Sequence, residues 1–474
     1  MIDKITLVPS TSDSYPFARA AVRCEFDKIG YFEDEYFISG TSNVYQTGAS
    51  GSPELLYESA PYVNRLIIRR PEPSKFSGNV VIECLNPSAF FDIDRLWVCS
   101  WKYFTRHGDI YIGITSKPDV LNALKTFDPD RYGILHWNNP LPDRAVPEQK
   151  GPFPILPENE AGLLWDMLTD LSGLLRGGDR NPLKTYGELK VFLAGWSQCG
   201  GFLTRYREDF AEAASAKLGF PVYDGYYHAG AGSAPSPINS FEAPLDFWSN
   251  RENFTGIIKS SEPYIVINTE TETPHTRWLG DSDEPGALFR AYEFPGSSHD
   301  SKYNLLDYYE GGGSEDLKKI NRPNGYYGAE AYPIDYPYEF LFNAAFRNLF
   351  VWSREGMPPP ASLFIEKYPD GQSKKDALGN TIGGVRTPFL DYPTCLYSKY
   401  CTIKDRPEIK GDFWGHVEPF SPDLLKSLYG SLDNYLSLVL QRTNEIIALG
   451  YLLPSDRDDI LETAKKFATE RGMS

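Results

Sequence analysis

The sequence predicts an α/β fold with a mostly parallel central sheet flanked by helices, and three observations lead there. Short β-branched apolar runs alternate with segments of helical periodicity, as a largely parallel sheet requires. One run, Asn79–Leu85, is apolar almost throughout, the pattern of a strand covered on both faces. A third, over residues 190–204, ends at Gly195, carries Ser197 two residues later and continues through small residues into an amphipathic segment. That order reads as strand, sharp turn and helix with a serine at the apex.

In chain order, residues 35–45 and 63–70 are expected to form an early, antiparallel strand pair. Residues 92–106 suit a helix, because Trp97, Trp101 and Phe104 fall on one face. Strand 109–115 follows, then helix 160–175, stopped by Gly-Gly-Asp-Arg-Asn-Pro. Strand 189–196 leads through the serine turn into a helix over 200–218, and residues 264–268 and 288–294 are further buried strands. Helices are expected over 422–449 and 455–468, with Pro419 and Pro422 at the entry. Residues 219–262 and 300–420 are rich in Gly, Pro, Tyr and Asn, and read as insertions forming a cap or lid within one domain spanning 1–474. No internal repeat or low-complexity segment interrupts this pattern.

Composition narrows the function. Apolar residues at 41% and charged residues at 23% are ordinary for a soluble globular protein. A net charge of −17 weighs against nucleic acid or an anionic membrane as partner. No run approaches the ~18 apolar residues of a membrane helix, and the N-terminus lacks the apolar core of a signal peptide, so a cytoplasmic location is expected unless a leader has been removed. Aromatics reach 14%, with 31 Tyr, which fits loops pinned by ring packing or a pocket for an aromatic or sugar-like ligand. Six cysteines without a Cys-x-x-Cys pair make neither a disulfide scaffold nor a zinc site. Cys84 and Cys99 read as buried thiols, and a bridge between Cys395 and Cys401 is left open, as is a homo-oligomer.

A serine hydroxyl needs an imidazole to take its proton. In sheet enzymes with such a turn, the chain order is serine, acid, histidine. His299 satisfies it, following strand 288–294 through Pro-Gly-Ser-Ser. His107 and His136 precede the serine. His416 also follows it and is the rival base, though no clear strand leads to it. His228 is a candidate pocket-lining residue, as is Trp196, and core packing is equally open to His228. The acid should end the preceding strand, where Glu270 and Glu272 both lie; position past the strand end favours Glu272, with Glu270 as its hydrogen-bonding support. An oxyanion site needs two backbone N–H groups. Gln198, after the serine, offers one, and Asn86 or Ser88 in the loop after Asn79–Leu85 the other; Pro87 has no N–H.

The segments carrying these candidates resemble a family of large microbial proteins known as "alpha/beta hydrolase domain". The likeness runs through Ser-Gly-Asn-Val-Val-Ile-Glu-Cys-Leu-Asn at 77–86, Leu-Lys-Thr-Phe-Asp-Pro-Asp-Arg-Tyr-Gly at 124–133 and Gly-Trp-Ser-Gln at 195–198. It continues in Thr-Glu-Thr-Glu at 269–272, Tyr-Glu-Phe-Pro-Gly-Ser-Ser-His-Asp at 292–300 and Pro-Phe-Ser-Pro at 419–422. The resemblance covers the chain from about residue 60 to its end and implies the α/β-hydrolase fold, with Ser197 and His299 in the catalytic roles. Cys199 departs from the family's small residue, Glu272 stands where aspartate is common, and region 300–420 is hard to align.

These readings converge on a serine hydrolase acting on a small-molecule carboxylic ester, with Ser197 as nucleophile, His299 as base, Glu272 as orienting acid and no cofactor or metal. The acidic surface points to a neutral or cationic substrate. Two alternatives stand beside it: the same three residues used for carbon–carbon cleavage or lactone opening and closing in secondary metabolism, and a catalytically idle hydrolase fold serving as a binding protein.

Overall fold

The structure, a computed structural model, describes every residue except 149–154, 178–179, 243–259, 277, 279, 305–307, 309–314, 322–332, 404–405, 412–413 and 474. The expected insertions at 219–262 and 300–420 therefore lie partly outside the described residues. Among the described residues, nine strands form the main sheet: β1 Ile2–Val8, β2 Tyr31–Thr47, β3 Pro53–Pro71, β4 Asn79–Leu85, β5 Ile110–Thr115, β6 Lys190–Trp196, β7 Gly225–Ala229, β8 Tyr264–Thr269 and β9 Phe289–Phe294. Their spatial order is β1-β2-β3-β5-β4-β6-β7-β8-β9. From β5 to β9 every pair is parallel, while β1, β2 and β3 join antiparallel at one side. This is the α/β-hydrolase fold. Apart from Lys190 at the start of β6, the parallel strands are buried throughout, which is why their sequences are near-continuous apolar runs.

Alternate residues of a strand serve opposite faces. Tyr227 of β7 stacks on Phe346, 3.7 Å between ring centres, and Phe192 of β6 packs on Phe350. Both partners lie on helix Glu339–Glu355, which also meets Phe104 of helix Arg95–His107. Tyr226, next to Tyr227, instead joins a ring cluster through Tyr223 to Tyr206 of helix Gln198–Asp209. Trp165 of helix Leu164–Arg176 stacks on Phe210 on that same side. Many of the aromatics thus fill the space between sheet and helices.

The antiparallel side carries an unusual load of buried charge. Arg65 on β3 pairs with Glu35 on β2 and, at 2.9 Å, with Asp92. Glu35 also takes Arg131 at 2.6 Å and the Tyr132 hydroxyl at 2.9 Å. Arg69 pairs with Glu33 at 2.8 Å and with Asp94. Asp92 and Asp94 belong to the loop after β4, which a backbone bridge between Asn86 and Ile93 closes. The charge ladder therefore fastens this loop to the hairpin. Helix Arg95–His107 starts three residues later than the sequence predicts, because those two aspartates are engaged with arginines. Its first amides donate instead to Glu83 of β4, Leu96 N–H at 3.0 Å and Trp97 N–H at 3.3 Å. Burial pushes the Glu83 carboxyl up to about 8.

Several other expectations are corrected. The single helix over 200–218 is two, Gln198–Asp209 and Ala211–Leu218, meeting at Phe210. Strand β7 lies inside the supposed insertion 219–262, and the 17-residue helix Glu339–Glu355 inside 300–420. Residues 363–385 are bound to the sheet edge: Glu293 N–H of β9 donates to Leu363 O, and Val385 N–H donates to Glu293 O. All six cysteines are free and buried, so Cys395 and Cys401 are not bridged.

Replacing Arg65 by Ala leaves Glu35 and Asp92 buried with one cationic partner fewer. The expected loss is about 3–5 kcal/mol of unfolding free energy. Lys28→Ala, at an exposed ion pair with Glu25, should leave stability nearly unchanged in the same denaturant titration.

Candidate active site

The site grows from the end of β6. Trp196 is the last strand residue, and helix Gln198–Asp209 begins two residues later. Ser197 makes the junction alone, at φ 59° and ψ −119°, a backbone state that costs a non-glycine residue roughly 1–3 kcal/mol. Small neighbours permit it. A Cβ on Gly195 would sit 2.6 Å from Cys199 O, and one on Gly200 2.5 Å from Ala231 Cβ. Cys199 fits as a packing residue, its Sγ 3.5 Å from Leu85 O, and burial pushes its thiol far above the ordinary range. Ser197 and Gln198 stay half-buried while Trp196 beneath them is fully buried. The serine thus projects at the positive end of a 12-residue helix, where an oxyanion is favoured.

The two candidate acids follow the end of β8. Sheet structure stops at Thr269 and the chain turns, so Glu270 and Glu272 do not share a face but meet different partners. Glu272 Oε1 lies 2.7 Å from His299 Nδ1. Its Oε2 accepts from the Thr269 N–H and hydroxyl, both at 2.7 Å. Glu270 accepts the Gly296 N–H at 2.8 Å, with Lys375 and Lys399 at 3.6 and 3.8 Å from its other oxygen. It supports the turn before His299 rather than the ring. Thr271 accepts the His299 N–H at 3.2 Å, so three successive residues of the acid loop hold the histidine loop.

His299 follows β9, and its Nε2 accepts the Trp196 indole N–H at 3.2 Å. The ring therefore lies at the elbow, held from one side by Glu272 and from the other by the residue preceding Ser197. The rival His416 sits on a two-stranded ribbon formed by Cys395–Ser398 and His416–Pro419, its ring nitrogens against Tyr400 O and the exposed Glu418. Trp196 and His228, expected to line a pocket, are both wholly buried. Trp196 packs on Phe342, with the Arg95 guanidinium 6.0 Å over its ring. His228 lies within β7 against the Tyr264 hydroxyl at 3.0 Å. Asn86 is also reassigned. Its N–H donates to Ile93 O at 2.9 Å, and its side chain reaches Trp196 O at 2.9 Å, tying the loop to the elbow. The Ser88 N–H donates to Asn86 Oδ1. Among the described residues, the amides of Gln198 and Ala89 have no protein acceptor.

Sequence reading missed the buried ion pair between Arg95 and Asp300 beside this ring, since only folding brings the two together. Among the described residues, no cluster of His, Cys, Asp and Glu is arranged as metal ligands, and no helix is long and apolar enough to cross a membrane.

A family model described as "Alpha/beta hydrolase domain" matches residues 6–462. The chain belongs to that family. No curated protein matches it. Similar solved structures include an esterase from Pyrobaculum calidifontis at 12% identity, covering 48% of this chain and 66% of that one with a TM-score of 0.25. Another is a thermostable esterase from Pseudomonas putida at 10% identity, covering 62% of this chain and 82% of that one, TM-score 0.31. A lipase/esterase from Lactobacillus plantarum shares 8% identity over 50% of this chain and 90% of its own, TM-score 0.27. Likenesses this distant say nothing about activity.

In this alpha/beta hydrolase family member, burial pushes the His228 ring down from 6.5 to about 4. The unfolded chain takes up a proton there below about pH 6.5, and the folded protein resists it until about pH 4. Stability from this site is complete above pH 6.5 and falls as the pH drops toward 4. His228→Asn removes the titrating ring, so urea unfolding at pH 7 and 4.5 should show the wild type losing about 2 kcal/mol more than the variant.

Proposed function

We propose that the protein is a serine hydrolase that cleaves a carboxylic ester through an acyl-enzyme. The observation that carries this reading is the 2.7 Å contact of Glu272 with His299 Nδ1, at a ring whose Nε2 accepts from the indole of Trp196, the residue before Ser197. Ser197 Oγ attacks the ester carbonyl while His299 Nε2 takes its proton. Glu272 keeps the ring's remaining proton on Nδ1 and stabilises the imidazolium. The amides of Gln198 and Ala89 receive the oxyanion, Ala89 replacing the engaged Asn86 and Ser88. His299 then returns the proton to the departing alcohol. Water attacks the acyl-enzyme by the same route in reverse, and no cofactor enters the scheme.

A fluorophosphonate probe should label the wild type and fail on Ser197→Ala, which should also lose hydrolysis of p-nitrophenyl esters; an unlabelled wild type would sink the proposal. Glu272→Gln should lower kcat by about 10²–10⁴-fold, as when a triad acid loses its charge. Glu270→Gln can still accept the Gly296 N–H and should cost about tenfold or less. Equal losses in the two variants would reassign the acid.

A further inference from the structure

We infer that Arg95 and Asp300 are positioning residues, whose buried ion pair braces the loop after β4 against the loop that carries His299. The brace fixes the Ala89 amide relative to the base. The inference rests on the proposed serine mechanism and deepens it.

The two residues come from different sides of the site. Arg95 opens the helix Arg95–His107, directly after the loop that carries Ala89. Asp300 is the residue after His299. Both are sealed from solvent, with 4% of Arg95 and 2% of Asp300 exposed.

The sign of the charge decides which way each part of the first loop is held. Asp92 and Asp94 go to Arg65 and Arg69 on β3. Arg95, the next residue, has the opposite sign and goes to the histidine loop. The loop is thus gripped from two directions, while the bridge between Asn86 and Ile93 keeps it closed. Asp300 is steadied in turn. Its backbone bridges Trp414, and the His299 N–H one residue earlier donates to Thr271 Oγ1 at 3.2 Å. The Arg95 guanidinium also lies 6.0 Å over the ring of Trp196, the residue before Ser197.

Energetics argue for geometry over stability. A buried ion pair gains little over apolar side chains of similar volume, because both ions give up their hydration. A planar guanidinium meets a carboxylate in few orientations, so the pair sets a spacing that apolar side chains do not. Catalysis is sensitive to such spacing, since a shift of about 1 Å in a reacting group costs on the order of 10²-fold in rate.

The test separates the two roles. Arg95→Met combined with Asp300→Leu replaces the pair by apolar side chains and should unfold in urea no earlier than the wild type. Its kcat for a p-nitrophenyl ester should nonetheless fall about 10²-fold, with KM changed by less than about threefold. Arg95→Lys keeps the charge without the planar fork, and its kcat should fall between the double variant and the wild type. A stable double variant with wild-type kcat overturns the role of the pair and leaves the esterase reading intact. If the double variant unfolds early, Arg95→Lys decides: a lowered kcat at wild-type stability supports the brace, and an unchanged kcat overturns it. If the wild type is not labelled by fluorophosphonate, the esterase reading falls, and hydrogen exchange in Arg95→Lys decides separately. Faster exchange at residues 296–301, in the opposite loop, supports the brace; unchanged exchange there ends it.

Discussion

One residue held in a backbone state that side chains avoid organises the rest of this molecule. Ser197 stands at φ 59° between the last residue of a buried strand and the first of a helix. The surroundings that tolerate it are specific: Gly195 and Gly200 have no room for a Cβ, and Cys199 is wedged between Leu85 O and Ser116. Such strain persists only where the neighbourhood over-determines it. The consequence is chemical. The hydroxyl is presented above the sheet at a helix N-terminus while Trp196, one residue earlier, is turned under it toward His299.

The loops that carry the other candidate residues follow three other strands, and buried polar contacts fasten each loop. Asp92 and Asp94 lock the loop after β4 to Arg65 and Arg69, while Asn86 ties it to Trp196 O. The acid loop grips the histidine loop through Glu270, Thr271 and Glu272 in succession. Ion pairs this buried do little for net stability compared with apolar packing, but breaking one is costly, which makes them suited to holding a loop in one place. The long antiparallel hairpin β2–β3 thus serves the site at a distance.

The aromatic excess has a similar resolution. A share of 14% is compatible with a ligand pocket or with structural packing. Pairs such as Tyr227 on Phe346, Phe192 on Phe350 and Trp165 on Phe210 fill the layers between sheet and helices. Trp196 and His228 belong to the same category, buried in the body of the sheet rather than open to a substrate.

Sequence by itself determined the sheet's parallel core and the strand–turn–helix at Ser197, and it singled out Glu270, Glu272 and His299 as the candidates that follow in chain order. These are written in local pattern: apolar runs such as Asn79–Leu85, and small residues around one serine. Local pattern also misled where a segment's flanks dominated. Helix Glu339–Glu355 was hidden in Gly- and Pro-rich surroundings, and strand β7 among loop-like neighbours. Only the tertiary structure put Glu272 on the His299 ring and Glu270 on the Gly296 N–H, engaged the Asn86 N–H with Ile93 O and His416 with Tyr400 O, and placed an indole N–H on the imidazole. Those choices depend on where the chain turns after Thr269 and on which hydrogen-bonding groups other segments have already taken. Neither is encoded in the spacing of residues along one strand, because each partner is supplied by a part of the chain that becomes a neighbour only on folding.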